Sequence, residues 1–217
     1  TERYRPIPQA EARASLGLDP GAELIVYVGR VIPRKDIRNV VRALAQLAQM
    51  RQARGDESLP TLLIVGGETG EPDVQATPEI GVLQILASEL GVGDRVRFMG
   101  RHQPAELYRW YSAADVAVTT PWYEPFGLTP LEAMACGTPV IGSAVGGITF
   151  TVADGETGFL VPPRDPDALA IRLDALLGSI TDEMLTFDPH QFADNSLRVE
   201  RILLEMVRPD PVQPRRV

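Results

Sequence analysis

The sequence predicts an α/β fold: a doubly wound, Rossmann-like sheet of six parallel strands with helices on both faces. Two observations carry this prediction. Short runs that are apolar throughout alternate with segments whose apolar residues recur at helical spacing. Strands without a polar face are typical of parallel sheets that are buried on both sides. The domain is expected over about residues 20–180.

The boundaries of the predicted elements rest on turn and cap residues. The first strand ends at Gly29 and the second at Gly66. Thr77 opens a helix after the second strand, and Gly91 closes it. Asp165 caps the helix that follows the sixth strand. The strands are predicted at 24–28, 62–65, 96–99, 116–118, 139–141 and 158–161. The helices are predicted at 37–48, 77–91, 105–111, 130–137, 165–178 and, beyond a loop at 181–195, at 197–207.

Composition excludes several classes of function. The 217 residues are 44% apolar and carry a formal net charge of −8, which disfavours a general surface for nucleic acid or anionic membrane. No apolar run reaches the roughly 18 residues of a membrane span. The single cysteine, Cys136, suits a reducing compartment, so a cytoplasmic location is expected, and it is interpreted as a buried helix residue. The scattered histidines and cysteine form no zinc motif.

The stretch from Glu124 to Glu132 carries the most chemical information. Its two carboxylates are separated by a turn that should open a helix, and Phe126, Gly127 and Leu128 place backbone amides at that opening. Helix starts attract anions because their first amides lack partners within the helix. Amides for a phosphate and carboxylates for hydroxyl groups together match a nucleotide-sugar.

A structural interpretation of the same stretch stays open. Thr129, Pro130 and Glu132 fit a capping box, with the threonine as N-cap and the glutamate as its reciprocal partner. Glu124 precedes a proline and is therefore expected to be extended, either as a functional residue or as a solvated loop residue.

Other residues fall after the predicted strands, where ligands of such sheets bind. Arg30 and Lys35 follow Gly29 and would suit a pyrophosphate, unless they belong to a solvated loop with Asp36 as N-cap. Segment 142–147 is either a phosphate loop or a tight turn. Arg101 and His102 follow the third strand as candidate contacts to a nucleotide base. No dinucleotide-binding glycine motif follows the first strand, so a nicotinamide cofactor is not supported.

Five motifs follow one another along the chain: Gly29-Arg30 with Lys35, Tyr111-Ser-Ala-Ala-Asp115, Glu124-Pro-Phe-Gly-Leu128, Glu132-Ala-Met-Ala-Cys-Gly-Thr-Pro-Val140 and Asp154-Gly-Glu-Thr-Gly-Phe-Leu160. Taken in order, they resemble the carboxy-terminal half of retaining glycosyltransferases of the GT-B fold, family 4. That family includes sucrose-phosphate synthases, sucrose synthases and the mycothiol-pathway N-acetylglucosaminyltransferase. The resemblance covers about residues 1–180.

The resemblance implies a role for each matching residue. Arg30 and Lys35 would hold the donor diphosphate, Glu124 would contact the transferred sugar, and Glu132 would hold the nucleotide ribose. The amides of 126–129 would bind sugar hydroxyls and phosphate. The implied site therefore has Glu124, Lys35 and Arg30 as its catalytic residues and Gly29, Arg30, Lys35, Phe126, Gly127, Leu128, Thr129 and Glu132 as its donor-binding residues.

The resemblance also implies an activity: a retaining hexosyltransferase that uses a nucleotide-diphosphate sugar, with UDP favoured, and requires neither cofactor nor metal. Front-face attack assisted by the diphosphate is expected. The acceptor would lie mainly on an absent amino-terminal domain of the same enzyme, so the chain alone is expected to be inactive. Residues 1–19 would lead in from that domain, 181–207 would form a loop and helix, and 208–217 a disordered tail.

Two departures from the family pattern limit the assignment. Lys35-Asp36 stands where the family often has Lys-Gly, and Gly146-Gly147 is followed by Ile-Thr-Phe where many members carry a glutamate. Two other functions stay open: a stand-alone nucleotide-binding or regulatory module, and a nucleotide-sugar epimerase of the same fold.

Overall fold

The computed structural model describes residues 4–178, which contain six strands and seven α-helices. The strands are β1 (Leu24–Val28), β2 (Thr61–Val65), β3 (Val96–Gly100), β4 (Val116–Thr119), β5 (Val140–Ser143) and β6 (Gly158–Val161). The helices are α1 (Gln9–Ser15), α2 (Ile37–Ala53), α3 (Pro78–Glu89), α4 (Leu107–Ala113), α5 (Leu128–Ala135), α6 (Ile148–Thr151) and α7 (Pro166–Gly178).

All six strands are parallel and lie in the order β3-β2-β1-β4-β5-β6. The predicted fold class is therefore confirmed. Successive strands are added to one side of β1 up to β3, and the chain then returns to place β4 on the other side. The carboxyl ends of β1 and β4 thus flank the point where the strand order reverses, which is where ligands of open α/β sheets bind.

Two apolar clusters cover the two faces of the sheet. Alternate residues of β1 belong to different clusters: Ile25 and Tyr27 lie in the cluster that includes residues of α2, α3 and α7, whereas Val26 lies in the cluster that includes residues of α1, α4, α5 and α6. Every residue of β1 and β2 is buried, as a parallel sheet covered by helices requires. This burial on both faces explains why the strand sequences are apolar throughout.

The segment before β1 is tied to the domain by a buried ion pair. Arg13 of α1 forms a bidentate interaction with Asp115, with both N–O distances at 3.0 Å. Asp115 also accepts a hydrogen bond from the Leu24 amide at 2.7 Å, so it links α1 to the start of β1. The helix at residues 9–15 was not predicted from the sequence.

One predicted boundary near the site is wrong. The helix after β4 begins at Leu128, with Gly127 in the cap position, rather than at Pro130. By contrast, Asp165 accepts a hydrogen bond from the Ala168 amide at 2.9 Å, which confirms its predicted role as the cap of the last helix. The predictions for 181–207 and 208–217 lie outside the described residues.

Candidate donor-binding site

The loops after β1 and β4 meet through one short ion pair. Lys35, at the end of a 3₁₀ turn that follows β1, donates from Nζ to Oε2 of Glu124 at 2.6 Å. Only 15% of the lysine side chain and 17% of the glutamate side chain are exposed. The Trp122 amide donates to the Arg34 carbonyl at 3.0 Å and joins the same two loops a second time. The structure therefore brings together two residues that the sequence analysis had placed in one site.

Glu124 is held in its ionised form. Partial burial acts to raise the pKa of its carboxyl group, but the hydrogen bond and charge of Lys35 act in the opposite direction, as do hydrogen bonds from the amides of Phe126 and Gly127. The net effect places the pKa of Glu124 below its ordinary value of 4.5. The amides of Phe126 and Gly127, which were expected to bind sugar or phosphate, thus also lie near a carboxylate of the chain itself, an arrangement that was not predicted.

Glycines allow the Glu124 loop to pack against the segment after β5. Gly127 has a φ of +67°, and a Cβ there would lie 2.9 Å from Oγ1 of Thr151. The Gly147 amide donates to the Glu124 carbonyl at 2.7 Å, and a Cβ on Gly146 would overlap that carbonyl oxygen. Gly146 and Gly147 are thereby explained by close backbone packing against the Glu124 loop.

Glu132 is oriented by a tyrosine rather than by a capping box. Thr129 is the second residue of α5 rather than its N-cap, so the alternative interpretation of Thr129 and Glu132 as a capping box does not hold. The buried Tyr111 hydroxyl of α4 donates to Oε2 of Glu132 at 3.0 Å. Burial and then the charge of Glu132 raise the pKa of Tyr111 well above its ordinary value, so this hydroxyl stays a donor.

A second buried tyrosine fixes the backbone that carries Arg30. The Tyr27 hydroxyl donates to the Arg30 carbonyl at 2.9 Å, while the arginine side chain is exposed. Burial raises the pKa of Tyr27, the charge of Glu124 raises it further, and the charges of Arg30 and Arg34 oppose them. The Tyr27 hydroxyl is therefore close enough to the loops after β1 and β4 for their charged residues to affect its pKa. Tyr27 was not among the predicted site residues, although a tyrosine one residue from the end of an otherwise aliphatic strand was the available signal.

Asp36 adopts a backbone conformation that favours glycine. Its φ is +51°, it is 5% exposed, and it precedes α2 without donating or accepting a side-chain capping bond. The expected position at the start of α2 is confirmed, but the expected side-chain capping is not observed. An aspartate tolerates this left-handed conformation better than most residues.

Arg101 and His102 lie at the same sheet edge but after β3, which β2 separates from β1. His102 is half-buried, with Nε2 3.1 Å from the Met99 carbonyl and its ring centroid 4.8 Å from that of Trp110. Arg101 is exposed, and its amide donates to the Thr69 carbonyl at 2.7 Å. Contact of either side chain with a nucleotide base stays a prediction.

Cysteine and metal chemistry receive no support from the described part of the chain. Burial raises the pKa of Cys136 to about 12, so its thiol is protonated and poorly nucleophilic. Within residues 4–178, no three histidine, cysteine, aspartate or glutamate side chains are grouped so that they could hold a metal ion. No helix in this range is long and apolar enough to cross a membrane.

The sequence model of the family described as "Glycosyl transferases group 1" matches residues 8–184 of this chain. The chain belongs to this family. Over 180 residues it is 42% identical to a D-inositol 3-phosphate glycosyltransferase from Frankia alni. The alignment covers 81% of this chain and 42% of that relative. The expected resemblance is therefore confirmed at the level of the family.

Solved structures of glycosyltransferases share the fold. Sucrose-phosphate synthase from Thermosynechococcus elongatus is 39% identical and has a TM-score of 0.74, over 94% of this chain and 48% of that one. The Anabaena protein HepE in complex with UDP and glucose is 25% identical, with a TM-score of 0.73 over 94% and 52% of the two chains. This group 1 chain thus spans about half the length of the relatives it matches.

Proposed function

We propose that this chain is the donor-binding half of a retaining glycosyltransferase, and that it binds a nucleotide-diphosphate sugar between the loops after β1 and β4. The Lys35–Glu124 pair carries the proposal. It places a fixed cation and an ionised carboxylate at the carboxyl edge of the sheet, where the strand order reverses. Membership of the group 1 family supports this choice.

The charges match the transfer reaction. Cleavage of a sugar–phosphate bond develops negative charge on the diphosphate and positive charge on the sugar. In the proposal Arg30 and Lys35 stabilise the diphosphate, together with the positive end of α5. Glu124 accepts hydrogen bonds from hydroxyls of the transferred sugar and lies close to its positive charge. Glu132, oriented by Tyr111, accepts hydrogen bonds from the ribose.

UDP is the proposed nucleotide, and the UDP and glucose bound to the Anabaena relative support this choice. The remaining donor residues are Gly29, Phe126, Gly127, Leu128 and Thr129, with Arg101 and His102 as the contacts to the base. Donor binding is proposed to require no metal. The acceptor is assigned to an amino-terminal domain of the same enzyme, and a cytoplasmic location is part of the proposal.

Calorimetric titration of the full 217-residue chain with UDP, GDP and ADP tests the proposal. Saturable binding of UDP is expected, unchanged by EDTA and tighter than binding of the other two nucleotides. Absence of binding by all three nucleotides would refute the donor-site assignment. The Lys35→Ala variant serves as the site-specific control: it should weaken UDP binding, and a thermal melt should show that it still folds, with some loss of stability because Glu124 loses its ion-pair partner.

Activity assays separate this proposal from its alternatives. The chain should transfer no sugar from UDP-glucose to added acceptors. Conversion of UDP-glucose into a second nucleotide-sugar without any acceptor would instead indicate an epimerase. If the chain binds UDP but Glu124→Gln leaves the affinity for UDP-glucose relative to UDP unchanged, it is better described as a nucleotide-binding module.

A further inference from the structure

A cavity of about 550 Å³ lies beside the proposed donor site, where α2 and α7 begin. The described residues that line it include none of the four charged donor-site residues Arg30, Lys35, Glu124 and Glu132. It is lined by Asp36, Arg38, Asn39, Arg42, Trp122, Arg164 and Pro166. Because three of the seven side chains are arginines, the cavity differs from the rest of an acidic chain with a net charge of −8.

Two of these arginines are not engaged in ion pairs within the fold. Arg38 is bound by Glu79 through two hydrogen bonds of 2.7 Å, and its charge is therefore largely balanced. Among residues 4–178, Arg42 and Arg164 form no salt bridge. Their two positive charges exceed the single negative charge that Asp36 brings to the cavity.

The position of Arg164 depends on unusual local structure. Its guanidinium lies 4.5 Å from the centroid of the Trp122 ring. Its backbone has a φ of +60°, a conformation that non-glycine residues rarely adopt. This contact joins the loop after β6 to the loop after β4, and both Arg164 and Trp122 line the cavity.

Asn39 provides an independent observation. It is only 2% exposed, and its Nδ2 has no hydrogen-bond partner among the described residues. Buried amide groups are nearly always hydrogen-bonded, so an unpartnered donor in the lining of a polar cavity indicates a missing acceptor. The start of α2 adjoins the same cavity and favours an anion there, whereas the start of α7 is already capped by the Asp165 carboxylate.

We propose that this cavity binds the phosphate group of a small phosphorylated ligand, or inorganic phosphate, at a site separate from the donor site. The guanidinium groups of Arg42 and Arg164 bind the phosphate oxygens, and Nδ2 of Asn39 donates to one of them. A phosphate dianion matches the two unbalanced arginines despite the nearby carboxylate of Asp36. A monocarboxylate, with one charge and two oxygens, matches them less well.

Calorimetry on the full chain tests the proposal with inorganic phosphate and glucose 6-phosphate as probes, and with acetate and glucose as comparison solutes. The Arg30→Ala/Lys35→Ala background removes both side-chain cations that the proposed donor site offers to a phosphate. In that background both phosphates should still bind, more tightly than acetate, and glucose should not. Arg42→Ala and Arg164→Ala should each weaken phosphate binding about tenfold, as expected for loss of one charge-assisted contact. Asn39→Asp should abolish it by replacing a donor with a negative charge.

The matched control is Arg172→Ala. Arg172 also lies over an aromatic ring, that of Phe159 at 4.8 Å, but it does not line the cavity. Its loss should leave phosphate binding unchanged, and circular dichroism melts should show that all variants fold. Loss of phosphate binding in the Arg30→Ala/Lys35→Ala background alone, equal affinity for acetate, or unchanged binding in both Arg42→Ala and Arg164→Ala would each overturn the proposal. A failure here leaves UDP binding at the donor site unaffected.

Discussion

Nζ of Lys35 lies 2.6 Å from Oε2 of Glu124, although 89 positions separate the two residues in the chain. The contact exists because β1 and β4 are neighbours in the sheet and their following loops leave the same edge. Two opposite charges are thereby held at the point where the strand order reverses. This pair is the structural basis of the proposed donor site.

The first prediction concerns the basic residues of the loop after β1. Arg30→Ala and Lys35→Ala should each weaken UDP binding by about 1–3 kcal/mol, the scale of a hydrogen bond to a charged group. Isothermal titration calorimetry measures this change directly. Arg34→Ala is the matched control, because Arg34 is an exposed cation in the same turn to which no donor contact is assigned. If all three variants bind UDP equally well, the loop does not hold the diphosphate.

The second prediction concerns pH. The pKa of Glu124 is lower in the folded chain than its ordinary value of 4.5, so the ionised carboxylate stabilises the folded state above that pH. This contribution should be lost as the pH falls through 4.5 and then through the lower folded pKa. Urea unfolding of the wild type and Glu124→Gln between pH 7 and pH 3 measures it.

The difference in free energy of unfolding between the wild type and Glu124→Gln should therefore change with pH in one direction only. The free energy of unfolding of the wild type, relative to Glu124→Gln, should decrease as the solution is acidified. A difference that is independent of pH, or that grows in acid, would show that the pKa of Glu124 is not lowered in the folded chain.

The third prediction concerns Tyr111 as a positioning residue. Tyr111→Phe removes the hydroxyl that donates to Glu132 and should weaken UDP binding about tenfold, on the scale of one hydrogen bond to a charged group. In a Glu132→Gln background the same change should have little further effect, because the two residues act together. Additive losses in the double variant would mean that Tyr111 does not act through Glu132. Deoxyuridine diphosphate, which keeps only one ribose hydroxyl, should be less sensitive to both substitutions.

The fourth prediction concerns Gly127. An alanine there would combine a φ of +67° with a contact of 2.9 Å to Oγ1 of Thr151, and we expect a loss of roughly 2–3 kcal/mol in the free energy of unfolding. Gly155→Ala is the control, because Gly155 has a φ of +79° but open space around its Cβ position. It should cost about 1 kcal/mol, the conformational term alone. Equal losses in denaturant titrations would show that Gly127 is not required for packing behind the site.

The fold was predictable because its determinants are local. A buried parallel strand needs an apolar run, and 24–28 and 62–65 were identified on that basis alone. The start of α5 was not predicted correctly, because Thr129 and Pro130 match a local capping pattern while Gly127 takes the cap position through its packing against the segment after β5. A contact between distant loops decided the boundary, and no local pattern reports such a contact.

The site was predictable in part for the same reason. Charged residues after strand ends identify a common sheet edge, which is how Lys35 and Glu124 were placed together. Tyr27 was missed and Tyr111 was noted only within a family motif, without a role, because the function of each lies in a single hydroxyl within an otherwise buried, apolar environment. Tyr27 and Tyr111 look like core residues in the sequence, and only the partners of their hydroxyl groups reveal a second role.

A crystal structure of the full chain with bound UDP-glucose tests the central claim most directly. The account predicts the diphosphate against Arg30 and Lys35, the ribose against Glu132, and a sugar hydroxyl within hydrogen-bonding distance of the Glu124 carboxylate. UDP-glucose bound away from the Lys35–Glu124 pair, or with its sugar pointing away from Glu124, would contradict it.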